Sequence, residues 1–310
     1  MELKMNQSLK DALVFFVGTF AELAVLFLLV SFLVGLVQYK FPRARVKALL
    51  AGQRGYAVAI LLGAVTPFCS CSSLPMTAGL IQARAPFGPV MAFLFTSPLL
   101  NPFIVVLFLS VFGLPMLLIY TLFVLVSAVV SGFLLQTFRF ERFVRADLYE
   151  MSHAGIIHEY DNQGLPWRRV LNEASRQFVS FLPYMALGVG VGAVVHGFVP
   201  EAFFTRLSSP EAWWLVPVAA LIGIVLYVRA STMVPIAASL VAKGMSLGSV
   251  MSLTIGGAGA SLPELIMLRR MFRAPLMAAF IVLVFSTASL TGYTVNLMDL
   301  GGDYVSTAQQ

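Results

Sequence analysis

Charge is what this 310-residue sequence has least of. Asp, Glu, Lys and Arg together make up 11% of it, against 59% hydrophobic residues. A soluble domain carries about 25% charged residues to keep its surface in water, so a water-facing fold of this length is excluded. The runs without any charge make the same point: 55–83 is 29 residues long and 85–138 is 54. A spanning helix needs about 20 apolar residues, so the second run crosses a bilayer twice.

Other absences narrow the class. There are two cysteines, Cys69 and Cys71, both deep in an apolar run and too few for a disulfide framework. No histidine lies near them to complete a structural zinc site. No Walker motif is present, so nucleotide hydrolysis does not drive the chemistry. The apolar segment 12–37 is too long for the core of a cleaved signal, and a basic stretch, 40–47, follows it instead of a small-residue cleavage site. It reads as a retained first helix. The net charge of +6 would suit nucleic acid, but the basic residues sit in the short loops between apolar runs, as topogenic charges do.

What is there is helical and broken. Six runs are long enough to span: 12–37, 88–112, 115–138, 173–196, 247–268 and 274–298. Two more, 55–83 and 212–243, are interrupted at Thr66-Pro-Phe-Cys69-Ser-Cys71-Ser-Ser-Leu-Pro75 and at Arg229-Ala-Ser-Thr-Met-Val-Pro235. Proline removes a backbone donor and pushes its predecessor out of the helical region. Each half of these runs, at about 15–20 Å, reaches only half way through a ~30 Å core. If both enter and return, the short loops place 15 Lys and Arg on one side and four on the other; if both span, the split is nine against ten. The first arrangement obeys the positive-inside rule. It predicts both termini outside and a cytoplasmic linker, 139–171, in the cell inner membrane.

A shift of 160 residues brings the halves into register. Pro75, Ala78, Leu80, Gly88, Val90, Met91 and Pro115 fall on Pro235, Ala238, Leu240, Gly248, Val250, Met251 and Pro275. The expected fold is therefore all-α and polytopic: a first repeat over 1–138, the linker, and a second repeat over 172–310. The repeats are inverted, with six spanning helices and two re-entrant hairpins. Such repeats are typical of secondary transporters, whose sites lie at midplane between discontinuous helices.

The breaks hold the residues able to carry chemistry. Cys69 and Cys71 on irregular backbone can converge on one soft ion, although buried cysteine also packs as a small hydrophobe. Thr66, Ser70, Ser72, Ser73, Ser231 and Thr232 supply hydroxyls, and Asn101 an amide in the interruption Thr96-Ser-Pro-Leu-Leu-Asn-Pro102. Its counterpart is Gly256-Gly-Ala-Gly-Ala-Ser-Leu-Pro263. Three ionisable residues fall inside apolar segments: Glu22, Arg229 and Glu264. Such groups usually face a pathway or a partner. Arg229 suits an anionic solute; Glu22 and Glu264 suit ion coupling, although Glu264 is close enough to Arg269 to snorkel or pair at the interface.

At these residues the chain resembles a known family. Thr66-Pro-Phe-Cys69-Ser-Cys71-Ser-Ser-Leu-Pro75, with Ala78-Gly79-Leu80 after it, and Ser97-Pro-Leu-Leu-Asn-Pro102 are similar to the predicted-permease family that includes the ArsP organoarsenical efflux permeases. The resemblance implies an eight-segment inner-membrane permease whose characterised members export trivalent organoarsenicals such as methylarsenite. It also implies thiol ligation by Cys69 and Cys71 and a site lined by Asn101. Many members carry a cysteine where this chain has Arg229, so a third soft ligand is replaced by a fixed cation.

The functional expectation is a secondary transporter of a small solute, with a soft metalloid as cargo on Cys69 and Cys71 and no resident metal or cofactor. Transport of a small anion or sulfur compound on Arg229 is the alternative. A thiol oxidoreductase cycling Cys69 and Cys71 would need a strained ring and a quinone or haem ligand set that is not evident. A structural subunit would leave both breaks unexplained. The expected partners are the bilayer and the solute, with no nucleic acid; a homo-oligomer is left open.

Overall fold

A computed structural model describes residues 52–65, 70–146, 213–225 and 245–298 continuously, with 49–50 and scattered helical positions within 17–32, 167–190 and 237–241. Helices α1 (Gln53–Val65) and α2 (Ser70–Gln82) flank the first break, and α3 (Phe87–Leu99) and α4 (Pro102–Thr137) follow. Helix α5 is Leu215–Val225, α6 Leu247–Gly259, α7 Leu262–Leu268 and α8 Ala274–Leu297. Among the described residues there is no strand, only an isolated bridge between Val144 and Phe272.

Among the described residues, three stretches, Phe108–Thr137, Leu247–Leu268 and Ala274–Leu297, are long and apolar enough to cross a membrane. The first and third are mostly exposed or half-buried and the second is almost wholly buried, so α6 and α7 are central and the others face outward. The outward side chains are apolar, among them Leu118, Leu122, Phe133, Val282 and Leu290, which is the surface that lipid requires.

Helix α4 is two limbs rather than one. Gly113 has φ 74°, ψ 176°, a conformation that glycine tolerates and that ends the helical ladder two residues before Pro115. The ring centroids of Phe108 and Tyr120 lie 4.6 Å apart. Twelve residues of straight helix would separate them by about 18 Å. The limb 102–112 therefore turns sharply into 114–137. The separate helices expected over 88–112 and 115–138 are present, and the interruption foreseen within the first falls at Leu100 and Asn101.

The two ends of the molecule can be told apart. Gly88 N–H donates to Gln136 Oε1 at 2.9 Å, and Tyr56 Oη donates to the same oxygen at 3.2 Å. Arg145 N–H donates to the Met271 carbonyl and Arg273 N–H to that of Phe143, each at 2.9 Å. The starts of α1, α3 and α8 and the end of α4 thus share one end, which carries Arg54, Arg84, Arg139, Arg142, Arg145, Arg269, Arg270 and Arg273. At 1.5 Å per residue, the 24 residues of α8 extend about 36 Å from it. At that far end, Gly248 N–H donates to Asn296 Oδ1 at 2.9 Å. Trp213 and Trp214 are exposed there, and no Lys or Arg lies among the described residues 213–216, 245–250 and 292–298.

The Gly88–Gln136 and Gly248–Asn296 bonds are one arrangement met twice, 160 residues apart. Other features keep the same spacing: the bounds of α3 and α6, the bonds Ala85 N to Leu80 O and Met245 N to Leu240 O, and the close approaches Gly132–Gly88 and Gly292–Gly248. In each bond a distant side-chain amide accepts from a first-turn N–H that has no partner within its own helix. Replacing Gln136 by leucine is expected to destabilise the protein by about 1–3 kcal/mol, because a buried donor loses its acceptor. Asn296→Leu should cost a similar amount, and thermal unfolding in detergent measures both.

Candidate functional site

Helices α1 and α3 run side by side from the arginine-rich end. A Cβ placed on Gly63, near the end of α1, would lie 3.2 Å from Ser97 N, so α1 stops level with the last turn of α3. Helix α2 then brings the chain back, through the turn at Arg84, to Phe87 at the arginine-rich end. Helix α5 does the same from the far end. Ser252 Oγ donates to the Val216 carbonyl near its start at 2.9 Å, and a Cβ on Gly223, near its end, would meet the Leu253 carbonyl and lie 2.8 Å from Gly257 N.

Helices α3 and α6 meet where both stop. A Cβ on Gly259 would lie 3.5 Å from a Leu99 methyl group. These residues end α6 and α3, and they too are 160 positions apart. The helical ladder lapses at Leu100 (φ −103°, ψ 34°) and at Ala260 (φ −155°, ψ 60°). It resumes with Val105 N–H on the Asn101 carbonyl and Leu265 N–H on that of Ser261, both at 3.0 Å. Tyr120 Oη donates to the Leu99 carbonyl at 2.8 Å, which occupies an acceptor freed by the first lapse.

Glu264 stands in the first turn of α7 with 0% exposure. It is five residues along the chain from Gly259 at the crossing, just past the lapse. The sequence left open that it snorkels or pairs at the interface; its complete burial removes the snorkelling reading. Helix α7 packs against α2, the helix that begins at Ser70. Asn101 is half-buried at the other lapse, and Ser261, its counterpart, is buried as the N-cap of α7.

The first break differs from its sequence reading. Ser70, Cys71 and Ser72 lie in the first turn of α2, and Pro75 lies inside that helix. Cys71 is thus a helical residue, and 66–69 lie outside the described residues. Pro75 is compatible with the helix because it leaves only the Cys71 carbonyl without its ladder donor, and other groups can satisfy such a carbonyl. Thr66, Cys69, Arg229, Ser231, Thr232 and Glu22 lie outside the described residues. Among those that are described, no three His, Cys, Asp or Glu side chains gather as a metal site.

The sequence reading passed over Ser97. It is fully buried in the last turn of α3, inside the interruption from which Asn101 alone was taken. The signal available was a hydroxyl directly before Pro98.

The fold and the crossing define an integral membrane protein of helices broken at its centre. The chain belongs to the predicted permease family, ArsP_1, whose model matches residues 8–297. It is similar to the UPF0718 protein MJ0584 of Methanocaldococcus jannaschii, 20% identical in an alignment 302 positions long, with 78% of this chain and 82% of that protein covered. No solved structure matches it.

Proposed function

We propose that this chain is a secondary transporter for a small solute, bound where its broken helices meet. The observation that carries the reading is the contact between Leu99 and Gly259, with both helical ladders lapsing beside it and Glu264 buried within two turns. Equivalent residues of two repeats touch only near the axis that relates them. For inverted repeats that axis lies in the membrane plane, at midplane.

The inverted arrangement itself is supported by the bonds and helix bounds that recur at 160 residues. It is also supported by their positions, because the Gly88–Gln136 bond lies at the arginine-rich end and the Gly248–Asn296 bond at the other. Re-entrant hairpins over 55–83 and 212–243 are supported by the courses of α1, α2 and α5. The arginine-rich end is cytoplasmic by the positive-inside rule, and the exposed Trp213 and Trp214 suit the outer interface.

The cargo proposed is a trivalent organoarsenical or related soft metalloid, exported on the thiols of Cys69 and Cys71, with Asn101, Ser70, Ser72 and Thr66 around it. Uptake of methylarsenite into everted membrane vesicles is expected to need the protein and a proton gradient, and to fall to background when both cysteines are changed to serine. Uptake that survives the double substitution rejects the thiol site. Loss in Arg229→Ala with the cysteine pair dispensable would move the cargo to the anion class.

A further inference from the structure

We propose that Ser97 lines the solute pathway and gives its hydroxyl to a solute bearing hydroxyl or oxo groups, such as the As–OH of methylarsenite. This rests on the transporter reading and adds to it a contact on α3.

Most other buried hydroxyls of the described residues are satisfied, the exception being Ser289 Oγ in α8, which also has no partner. Thr77, Thr96, Thr254 and Thr291 each donate to the carbonyl four residues back at 2.8 Å, and Ser252 donates across to Val216. Ser97 has 0% exposure, and among the described residues nothing lies within hydrogen-bonding distance of its Oγ. In a dry interior an unmade hydrogen bond costs free energy, and hydroxyls in membrane helices escape it by bonding back along the helix. Ser97 does not use that escape. Pro98 follows it and cannot donate to the Leu94 carbonyl, so a second polar group at this level loses its ladder partner.

The position gives the hydroxyl its meaning. Ser97 N lies against Gly63, two residues before the end of α1, and Leu99, two residues further on, touches Gly259 at the crossing. Ser97 therefore stands between the end of α1 and the crossing. The residue 160 positions on is Gly257, which has no side chain. The hydroxyl belongs to one half alone, as expected of a group placed for an asymmetric solute and not for helix packing.

The test is Ser97→Cys in membranes, treated with a charged methanethiosulfonate reagent from either side, with labelling located by peptide mass spectrometry. The thiol introduced at position 97 is expected to be modified and to be protected by methylarsenite. The thiol of Leu94→Cys, equally buried about one turn earlier, should stay unmodified. If the two introduced thiols are equally unreactive from both sides, Ser97 is packing and the proposal fails. Ser97→Ala gives a second measurement. It should unfold at the wild-type temperature or above, because an unsatisfied hydroxyl is removed, yet bind methylarsenite about tenfold more weakly. Unchanged affinity overturns the solute contact. Labelling at position 97 in a protein that carries no methylarsenite keeps the pathway and rejects only the arsenical cargo.

Discussion

Gly248→Ala is expected to destabilise the protein by about 3 kcal/mol, the upper end of what overpacking a filled interior costs. The new methyl group would run into the backbone carbonyl of Gly292 in α8 and into the Asn296 amide that holds the start of α6. A carbonyl inside a helix cannot turn aside without breaking its ladder, so α6 and α8 must separate. Gly88→Ala meets the ends of two side chains, Tyr56 and Gln136, which can swing, and should cost roughly 1–2 kcal/mol. Gly18→Ala has nothing within 4 Å and should be neutral or slightly stabilising, since alanine is the better helix former. Thermal unfolding in detergent orders the three. Equal stability of the Gly248 and Gly18 variants would mean that α6 and α8 do not approach this closely.

Glu264→Gln should abolish the proposed solute flux while leaving the protein folded. An ionisable group at depth in a spanning helix costs about 2.5–3.5 kcal/mol on insertion scales. A carboxyl kept only for packing would be replaced by its amide at no functional loss. Glu264 has 0% exposure, sits one turn past a helix break, and its counterpart 160 residues earlier is the buried Ile104, so packing alone accepts an apolar side chain there. The glutamine variant is expected to unfold at the wild-type temperature or above and to retain no gradient-driven uptake. Full uptake in a variant of raised stability would remove Glu264 from the mechanism.

Much of the fold was legible along the chain because the signals are local. Membrane residence follows from charge-free runs that no aqueous surface tolerates. The lapses at Leu100 and Ala260 follow from proline and small residues within a few positions. Two local signals were over-read. Pro75 looked like part of the first break and is inside α2, because a proline early in a helix frees only one acceptor. Cys71 was placed on irregular backbone with Cys69 for the same reason.

The candidate site was legible in part. Asn101 and Glu264 stand out as polar groups in apolar runs, whereas Ser97 is one hydroxyl among many until its surroundings are known.

The sequence by itself determined that the chain lives in a bilayer, where its helices break, and that its halves register at 160 residues, since composition and proline chemistry act over short stretches. Only the tertiary structure decided that Leu99 meets Gly259, that Glu264 is sealed from the interface, and that Ser97 stands unsatisfied beside the end of α1. Those facts depend on which distant residues fill the neighbouring space, and burial and hydrogen-bond satisfaction arise from that filling.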